Sequence, residues 1–464
     1  MIPYIQDAIN AVYVVAVIVF VLGLRAMSSP ATARRGILYA GVAMLLAVIV
    51  TFFSPSLAVS NFAFIFVGVA IGGLGGWYWA RVVQMTAMPQ MVAVFNGMGG
   101  GAAAAIAAVT LLSSLASHAT ADLALAGAII GSISIAGSMI AFLKLQGWLR
   151  SKPIVLPARQ VVNSAVLVVG VGFGVAGVWL VSDVYLLPFY LLLLLYGVLL
   201  TLPIGGADMP VVISLTNALT GIAVALDGFA LVNGPLGDAG YAMVIAGVLV
   251  GSAGSLLTFL MAKAMNRSIS NVFFGAFGAT EEEGATVQGA LKPIEASDVA
   301  AMLAYANTVI IAPGYGLAVA QAQGKVKELA DLLGQKGVTV KFAIHPVAGR
   351  MPGHMNVLLA EAGVSYDKLF DRDEIDPEFA STDVVLVIGA NDVVNPAARR
   401  KGSPLYGMPI LDVDAAKEVI VLKRGSGKGF AGIENDLFYR DNTRMLYGDA
   451  NETLTKLTQE LKKL

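Results

Sequence analysis

Nine apolar segments in the first 262 residues, each about as long as a bilayer is thick, constrain the fold more than any other feature. They lie at about 4–24, 36–53, 59–80, 89–112, 122–145, 160–181, 184–202, 209–232 and 238–262. A helix needs about 20 apolar residues to cross a hydrocarbon core of about 30 Å. Residues 1–262 contain 8 basic and 6 acidic side chains, whereas 263–464 contain 22 and 25. We therefore expect a polytopic α-helical membrane domain of about nine spans at 1–262, followed by a domain in water.

The loops between these segments differ in positive charge, and this difference predicts the orientation. Lysine and arginine follow the first, third, fifth and ninth segments, whereas the loops near 54–58, 113–121, 182–183 and 233–237 hold none. Cytoplasmic loops carry the excess of lysine and arginine. We therefore expect a multi-pass protein of the cell inner membrane, with its N-terminus outside and its C-terminal domain in the cytoplasm.

A few polar side chains interrupt the apolar segments. Polar groups in a bilayer are costly, so each of these side chains is a candidate for function. The candidates are Asn96, Asp208, Asn217 and Ser252. Asp208 is equally well explained as the N-cap of the eighth helix. Asp227 lies near the outer end of the eighth segment, where we expect it to be hydrated.

The second half alternates short apolar runs with polar helical stretches, after a linker at 263–289. Strands are predicted at 307–312, 338–344, 383–389, 408–412, 418–422 and 443–447, and helices at 317–336, 354–363 and 451–463. This alternation is typical of a parallel α/β sheet, which binds ligands at the carboxyl ends of its strands. We therefore expect an α/β Rossmann-like parallel-sheet domain at 290–464.

The first predicted strand runs directly into a G-x-G-x-x-V motif. Its residues are Gly314, Tyr315, Gly316, Leu317, Ala318 and Val319. In such a motif the first glycine allows a tight turn and the second lets the backbone approach a pyrophosphate at a helix N-terminus. A plain tight turn is the alternative, but the position after a strand favours dinucleotide binding.

The charges around this motif favour NADP(H) over NAD(H). An NAD site has a carboxylate at the end of the second strand, whereas 342–346 here hold none. Lys423 and Arg424 follow a later strand, and an adjacent pair of cations suits a phosphate monoester. A solvated basic loop is the alternative. Asp392 follows the strand at 383–389, where it either approaches the cofactor or caps the next helix.

Composition excludes several other classes. The chain has no cysteine and three histidines, so disulfides, iron–sulfur clusters and a multi-histidine metal site are not expected. A net charge of −1 gives no global attraction for nucleic acid. An NADP(H)-sensing membrane channel or transporter is the alternative function, although the chain has no selectivity filter such as TVGYG.

Longer motifs throughout the chain resemble those of the beta subunit of proton-translocating NAD(P) transhydrogenase. They are Met88-Pro89 and the segments 204–210 (IGGADMP), 264–268 (AMNRS), 345–354 (HPVAGRMPGH), 389–392 (GAND) and 423–424 (KR). The resemblance implies hydride transfer between NAD(H), bound by a separate alpha subunit, and NADP(H), bound by residues 290–464. It also implies coupling to proton translocation in the lipid bilayer and a dimer of alpha–beta units.

The resemblance also implies which residues contact NADP(H). Asn391 and Asp392 lie near its reactive end and are the catalytic candidates, while Lys423 and Arg424 hold the 2′-phosphate. Relatives commonly have tyrosine at the position of Phe430. The full implied set is Gly314, Tyr315, Gly316, Leu317, Ala318, Val319, Arg350, Met351, Pro352, Gly353, His354, Gly389, Ala390, Asn391, Asp392, Lys423, Arg424, Gly429, Phe430, Ala431, Gly448, Asp449 and Ala450.

We expect a proton pathway through the polar residues of the spans, Asn96, Asp208, Asn217 and Ser252, with Asp208 and Arg267 as the relay at the boundary of the membrane domain. Some relatives have histidine where this chain has Asn96. An amide does not titrate near neutral pH, whereas histidine does. The proton is therefore carried either by Asp208 or by a histidine of the partner subunit that faces Asn96. We favour the partner histidine, because Asp208 lies at the cytoplasmic edge.

Overall fold

The computed structural model describes most of the chain. The residues outside it are 1, 28–29, 54–58, 115–117, 151–153, 155, 206–207, 233–236, 266–289, 350–352, 402, 404, 426, 428 and 430–431. The described residues form two compact units, Met1–Thr258 and Phe259–Leu464. Most of the predicted linker at 263–289 lies outside the described residues, as does Arg267.

The first unit is helical, and nine of its described helices are long and apolar enough to cross a membrane. This confirms the nine predicted spans. The helices are α1 (Ile2–Met27), α2 (Pro30–Thr51), α3 (Val59–Val82), α4 (Met88–Ser114), α5 (His118–Gln146), α6 (Arg159–Trp179), α7 (Leu186–Thr201), α8 (Met209–Leu231) and α9 (Gly237–Ala264). Large apolar side chains such as Phe64 and Ile71 on α3 are exposed, as expected of a surface in contact with lipid.

Helix α5 lies at the centre of this unit and packs against α4, α7 and α8. Small residues allow the close approach: a β-carbon at Gly100 of α4 would lie 3.0 Å from the backbone nitrogen of Ile135 in α5. A β-carbon at Gly221 of α8 would likewise lie 2.5 Å from the nitrogen of Gly251 in α9. Such contacts are the usual way in which membrane helices pack. They also bring short polar side chains of neighbouring helices within hydrogen-bonding distance.

The second unit is a parallel sheet covered by helices. Its elements are α10 (Ala296–Ala304), β1 (Thr308–Pro313), α11 (Tyr315–Val319), α12 (Gln323–Gln335), β2 (Thr339–Ile344), α13 (His354–Glu361), β3 (Leu369–Asp371), α14 (Arg372–Ile375), β4 (Val384–Ile388), β5 (Glu418–Lys423), β6 (Thr443–Tyr447) and α15 (Ala450–Lys463). The strand order is β3-β2-β1-β4-β5-β6, and every pair is parallel. This is the doubly wound order with a topological switch point between β1 and β4. The predicted Rossmann-like fold is confirmed.

Two predicted elements of this domain are wrong. Residues 408–412 do not form a strand, because their backbone bonds to a turn instead: the N–H of Leu411 donates to the carbonyl of Val393 at 2.9 Å. Ile410 and Leu411 are nevertheless buried, which explains their apolar pattern. The sixth strand is instead β3, a short edge strand that pairs with β2 and was not predicted.

The predicted helix at 317–336 is also wrong, since it is two helices. Helix α11 ends at Val319 and α12 begins at Gln323, with Gln321 between them at a left-handed φ of 49°. The side-chain amide of Asn451, in α15, donates to the carbonyl oxygen of Gln321 at 3.4 Å. This contact with a distant helix stabilises the break, so the local apolar pattern could not reveal it.

Candidate functional site

The glycine motif lies at the switch point, where the loops after β1 and β4 meet. The backbone N–H of Gly314 donates to the carbonyl of Ile388 at 2.8 Å, and that of Gly316 donates to Gly389 at 2.9 Å. A β-carbon at Gly314 would lie 2.5 Å from the nitrogen of Ala390, and one at Gly316 would lie 2.7 Å from the Cα of Gly389. The absence of side chains therefore lets one loop pack on the other. This packing role of Gly316 was not predicted from the sequence, and its approach to a pyrophosphate stays a prediction.

The remaining residues of the motif form the short helix α11. Leu317 and Ala318 are buried and anchor the helix to the sheet, whereas Val319 is exposed. Tyr315 begins the helix directly after the turn. This segment thus presents backbone at the carboxyl edge of the sheet and uses its apolar side chains for packing.

A second loop of the site follows β4 and is held by a network of asparagines. The side-chain amide of Asn435 donates to both the carbonyl and the Oδ1 atom of Asn391, each at 3.0 Å. Asn395 donates to the carbonyl of Glu434 at 3.0 Å, and its Oδ1 accepts from the N–H of Asp436 at 3.2 Å. Asn395 and Asn435 are buried. The network therefore fixes the loop carrying Asn391 against the segment that follows β5.

Neither Asn395 nor Asn435 is among the residues predicted to be functional. Each accepts a hydrogen bond from the N–H two residues later, Ala397 and Leu437 respectively, which is a turn-forming pattern. That pattern is visible in the sequence as an asparagine before a short helical turn. It does not reveal that the two turns meet.

Lys423 and Asp392 lie near each other across the ends of β5 and β4. Partial burial lowers the pKa of the Lys423 ammonium, and the negative charge of Asp392 opposes this shift. The ammonium lies 4.6 Å from the ring centre of Phe438 and donates to the carbonyl of Gly427. A β-carbon at Gly429 would lie 2.7 Å from the carboxyl carbon of Asp392. Close approach of the chain to Asp392 therefore requires glycine at 429.

The two basic residues have different environments. Lys423 is half-buried, whereas Arg424 is exposed. A cleft beside them is lined by Asn391, Gly427, Phe438 and Tyr447.

Two other residues predicted to contact the cofactor, Phe430 and Ala431, lie outside the described residues.

The loop after β6 completes this edge of the sheet. The N–H of Gly448 donates to the carbonyl of Lys423 at 3.1 Å, with Gly448 at a left-handed φ of 152°. Asp449 caps α15 by accepting a hydrogen bond of 2.9 Å from the N–H of Asn451. Ala450, the first residue of α15, is buried. Asp449 therefore has a structural role whether or not it also contacts a cofactor.

The segment after β2 contains two buried histidines. In the predicted set Arg350, Met351 and Pro352 lie outside the described residues, while Gly353 and His354 begin α13. A β-carbon at Gly349 would lie 2.6 Å from Nδ1 of His354, so glycine is needed there. Nε2 of His345 lies 2.7 Å from the carbonyl of Pro409, and Nδ1 accepts from the N–H of Val347. Burial lowers the pKa of His345 to about 4, so the ring is neutral with its proton on Nε2.

In the helical unit, the predicted residue Asn96 belongs to a buried polar cluster. Its amide nitrogen donates to the hydroxyl of Ser138 at 2.9 Å and to that of Thr216 at 2.8 Å. The hydroxyl of Ser134 lies 2.5 Å from that of Thr220 and donates to the carbonyl of Thr216. We call Asn96, Ser134, Ser138, Thr216 and Thr220 the polar row. Only Asn96 among them was predicted.

The other predicted polar residues of the spans do not all join this row. Asp208 is buried at the start of α8, and Asn217 is half-buried beside Thr216 on the next face of that helix. Ser252 lies on an exposed face of α9. Asp227 is 1% exposed, so the expectation that it is hydrated is wrong. The packing of α5 against α8 covers it, which the position of Asp227 near a helix end did not reveal.

Comparison with known proteins agrees with this two-part architecture. The sequence model of the family described as "NAD(P) transhydrogenase beta subunit" matches residues 9–460. Two relatives from Rhodospirillum rubrum, one of them from strain ATCC 11170, are named "NAD(P) transhydrogenase subunit beta". Each is 46% identical over 467 aligned positions, which cover 97% of this chain and 98% of the relative. This chain, whose described residues form nine apolar helices followed by a doubly wound parallel sheet, belongs to the NAD(P) transhydrogenase beta-subunit family.

Proposed function

We propose that this chain is the NADP(H)-binding and membrane subunit of a proton-translocating NAD(P) transhydrogenase. It works with an alpha subunit that binds NAD(H), and it couples hydride transfer between the two nucleotides to proton movement. The observation that carries the proposal is the position of Lys423 and Arg424, at the carboxyl end of a strand beside the switch point of the sheet. Family membership supports the general activity.

Each part of the sheet edge has a role in this proposal. Backbone of the segment 314–319 faces the pyrophosphate, and Lys423 with Arg424 binds the 2′-phosphate that distinguishes NADP(H) from NAD(H). We propose that the cofactor is also contacted by the segments 350–354, 429–431 and 448–450, of which 350–352 and 430–431 lie outside the described residues. Asn391 and Asp392 lie near the nicotinamide. The residues present fit a phosphorylated dinucleotide because the cations and the glycine-lined loops lie at one edge of the sheet.

The chemistry supplied by the bound nicotinamides is hydride transfer, and no protein acid or base is needed for it. The protein orients the cofactor and excludes water. We assign orientation to Asn391, because Asn435 fixes both its backbone carbonyl and its side-chain oxygen. Asp392 lies near Lys423 and Gly429, where its charge affects the cations at the cofactor edge.

The second nucleotide site must come from a partner, because the sheet has one switch point. We propose that the alpha subunit supplies NAD(H) and that two alpha–beta units form a dimer. We further propose domain limits of 1–262 for the membrane domain, 263–289 for the linker and 290–464 for the cofactor domain. The distribution of lysine and arginine among the loops supports a cytoplasmic cofactor domain and an N-terminus outside the inner membrane.

The proton pathway is proposed to run through the helical unit along Asp208, Asn217, Ser252 and the polar row that contains Asn96. Hydroxyl and amide groups can relay a hydrogen-bonded proton but do not store one near neutral pH. Coupling requires that the redox state of the bound nucleotide bias two conformations of the membrane domain.

The direct test uses the chain with its alpha subunit in sealed vesicles. Addition of NADH and NADP⁺ should produce NADPH together with proton movement, detected by a pH-sensitive dye, and an uncoupler should abolish the dye signal. Hydride transfer without proton movement in tight vesicles would contradict the coupling. Binding of NADP(H) with no hydride transfer would favour the sensing channel or transporter instead.

A further inference from the structure

A carboxyl group that the pathway above does not use is buried inside the helical unit. Asp227 of α8 is 1% exposed, and within the described part of the chain neither carboxylate oxygen has a hydrogen-bond partner. An ionised carboxylate there would lack both water and a counter-ion, which is strongly unfavourable in a low-dielectric interior. A proton on this group removes that cost.

The surrounding helices form a space shaped for the carboxyl group. A β-carbon at Gly127 of α5 would lie 2.9 Å from the carboxyl carbon of Asp227 and 3.4 Å from the carbonyl oxygen of Ala223. The phenol of Tyr190, in α7, lies within electrostatic range of Asp227 and donates its own hydrogen bond to Ala104 at 3.1 Å. The cavity thus accepts a carboxyl group because α5 has glycine at this level.

Other ionisable groups on the packed helices lie farther from this space or on the surface. Asp122 of α5 and Tyr241 of α9 are exposed, and Lys144 lies near the opposite end of α5, where it donates to the carbonyl of Ile204 at 2.7 Å. Helix α4 contains no ionisable side chain. The side chains of His118 in α5 and Asp238 in α9 lie outside the described residues. Tyr190 is therefore the titratable neighbour that the structure associates with Asp227.

Asp227 continues the polar row. Thr216, Thr220 and Asp227 are spaced by four and seven residues, which places them on one face of α8. Helix α5 has a matching set, in which Ser138, Ser134 and Gly127 are also four and seven residues apart. Their order along the chain is reversed relative to the set on α8. Asp208 lies at the other end of α8, 19 positions away in the printed sequence. At 1.5 Å per residue the two carboxylates are about 28 Å apart, close to the thickness of a hydrocarbon core.

We propose that Asp227 is a proton-binding site of the coupled reaction, at the end of the polar row opposite Asp208. The inference rests on the proposed function and adds a titratable group to a row of hydroxyls and an amide that cannot store a proton. The carboxyl O–H bond forms when a proton enters from the nearby surface and breaks when the proton passes into the row. This role requires no histidine of the partner subunit at Asn96.

The test compares Asp227→Asn with Asp227→Glu in the alpha–beta complex in sealed vesicles. Asparagine matches the size of a protonated aspartate but cannot bind the proton, whereas glutamate keeps the titratable group in a worse-fitting side chain. We expect proton-coupled turnover to fall about 100-fold or more in Asp227→Asn, since a positioned proton-transfer group contributes typically 10²–10⁴-fold. Asp227→Glu should retain more activity. Asp122→Asn, a change at an exposed carboxylate, is the matched control.

A structural role makes the opposite prediction. Activity of Asp227→Asn at or above that of Asp227→Glu would overturn the inference. Failure of Asp227→Asn to assemble would also overturn it, because a site built for a neutral carboxyl group must accept an amide of the same shape.

Infrared spectroscopy separates this inference from the proposed function. The wild-type complex should show a protonated carboxylic acid band that Asp227→Asn lacks, whether or not vesicles pump protons. Absence of any such difference would contradict the assignment of Asp227. A wild-type complex that transfers hydride without moving protons, yet shows this band, would contradict the proposed function only.

Discussion

Asn96 of α4 donates a hydrogen bond of 2.8 Å to Thr216 of α8, a residue 120 positions away in the chain. The same amide nitrogen donates to Ser138 of α5, so one side chain connects three helices. Within the described residues, the buried Oδ1 atom of Asn96 has no hydrogen-bond partner. Asn96 therefore has one acceptor that could receive a proton donor or a water molecule during turnover.

The first prediction concerns this connection. Asn96→Leu should lower proton-coupled turnover by about tenfold or more. Loss of the amide donor leaves the buried hydroxyls of Ser138 and Thr216 each short of one hydrogen bond, and each unmade buried hydrogen bond costs about 1–3 kcal/mol. Asn96→His should be tolerated in part, since an imidazole N–H can donate the same bond. Dye-detected proton movement in vesicles measures both. Thr110→Val is the control, because this hydroxyl on the same helix donates to its own helix at Ile106.

The second prediction concerns nucleotide selectivity. A fragment of residues 290–464 should bind NADP(H) well and NAD(H) poorly. Replacement of both Lys423 and Arg424 by alanine should remove most of this discrimination, since each charge-assisted contact contributes about 1.5–3 kcal/mol. Titration calorimetry with both nucleotides measures the effect. Lys417→Ala is the matched control, because Lys417 pairs with Asp383 before the start of β5. Equal affinities in the unaltered fragment would contradict the proposed site.

The third prediction concerns the partner. The purified chain without an alpha subunit should transfer no hydride from NADH to NADP⁺, because its described sheet has one switch point, at which we propose a single dinucleotide site. Addition of the alpha subunit should start hydride transfer. The absorbance of a reduced NADP⁺ analogue measures the product. Sustained turnover by the chain alone would exclude a split site.

The fourth prediction concerns the contact between the loops after β1 and β4. Gly316→Ala should destabilise the fragment by about 1–3 kcal/mol, since the new methyl group would be forced against the backbone of Gly389. Gly324→Ala in α12 should not destabilise it, because a β-carbon there meets nothing within 4 Å and alanine favours a helix. Urea unfolding of both variants measures the difference. Similar stability of the two variants would contradict the observed loop packing.

The fifth prediction concerns pH. The pKa of His345 is about 4 in the folded state, below the value of about 6.5 expected when the chain is unfolded. The unfolded chain therefore binds more protons between these values, and stability falls as pH decreases through this window. From about pH 7 to about pH 5 the loss attributable to His345 should be about 2 kcal/mol. Urea unfolding should show a smaller pH dependence in His345→Gln than in the unaltered fragment.

The sequence alone determined the nine spans, the parallel-sheet domain and the location of Lys423 and Arg424 at a strand end. These features follow from local polarity: a long apolar run predicts a membrane helix, and a buried strand ends where charged residues begin. The failure at 408–412 has the same origin, since Ile410 and Leu411 are apolar and buried, yet the N–H of Leu411 bonds to the turn at Val393 and not to a strand.

Only the tertiary structure decided which distant residues meet. Asn435 is positioned on Asn391 because two separate turns pack together, and Asp227 is buried because Gly127 of another helix leaves space for it. A helix or strand pattern specifies which face of an element is polar, but the neighbour that covers this face depends on how all the elements pack. For that reason the loops at the carboxyl edge of the sheet could be predicted in outline, whereas the asparagine network, the polar row and the buried carboxyl group could not.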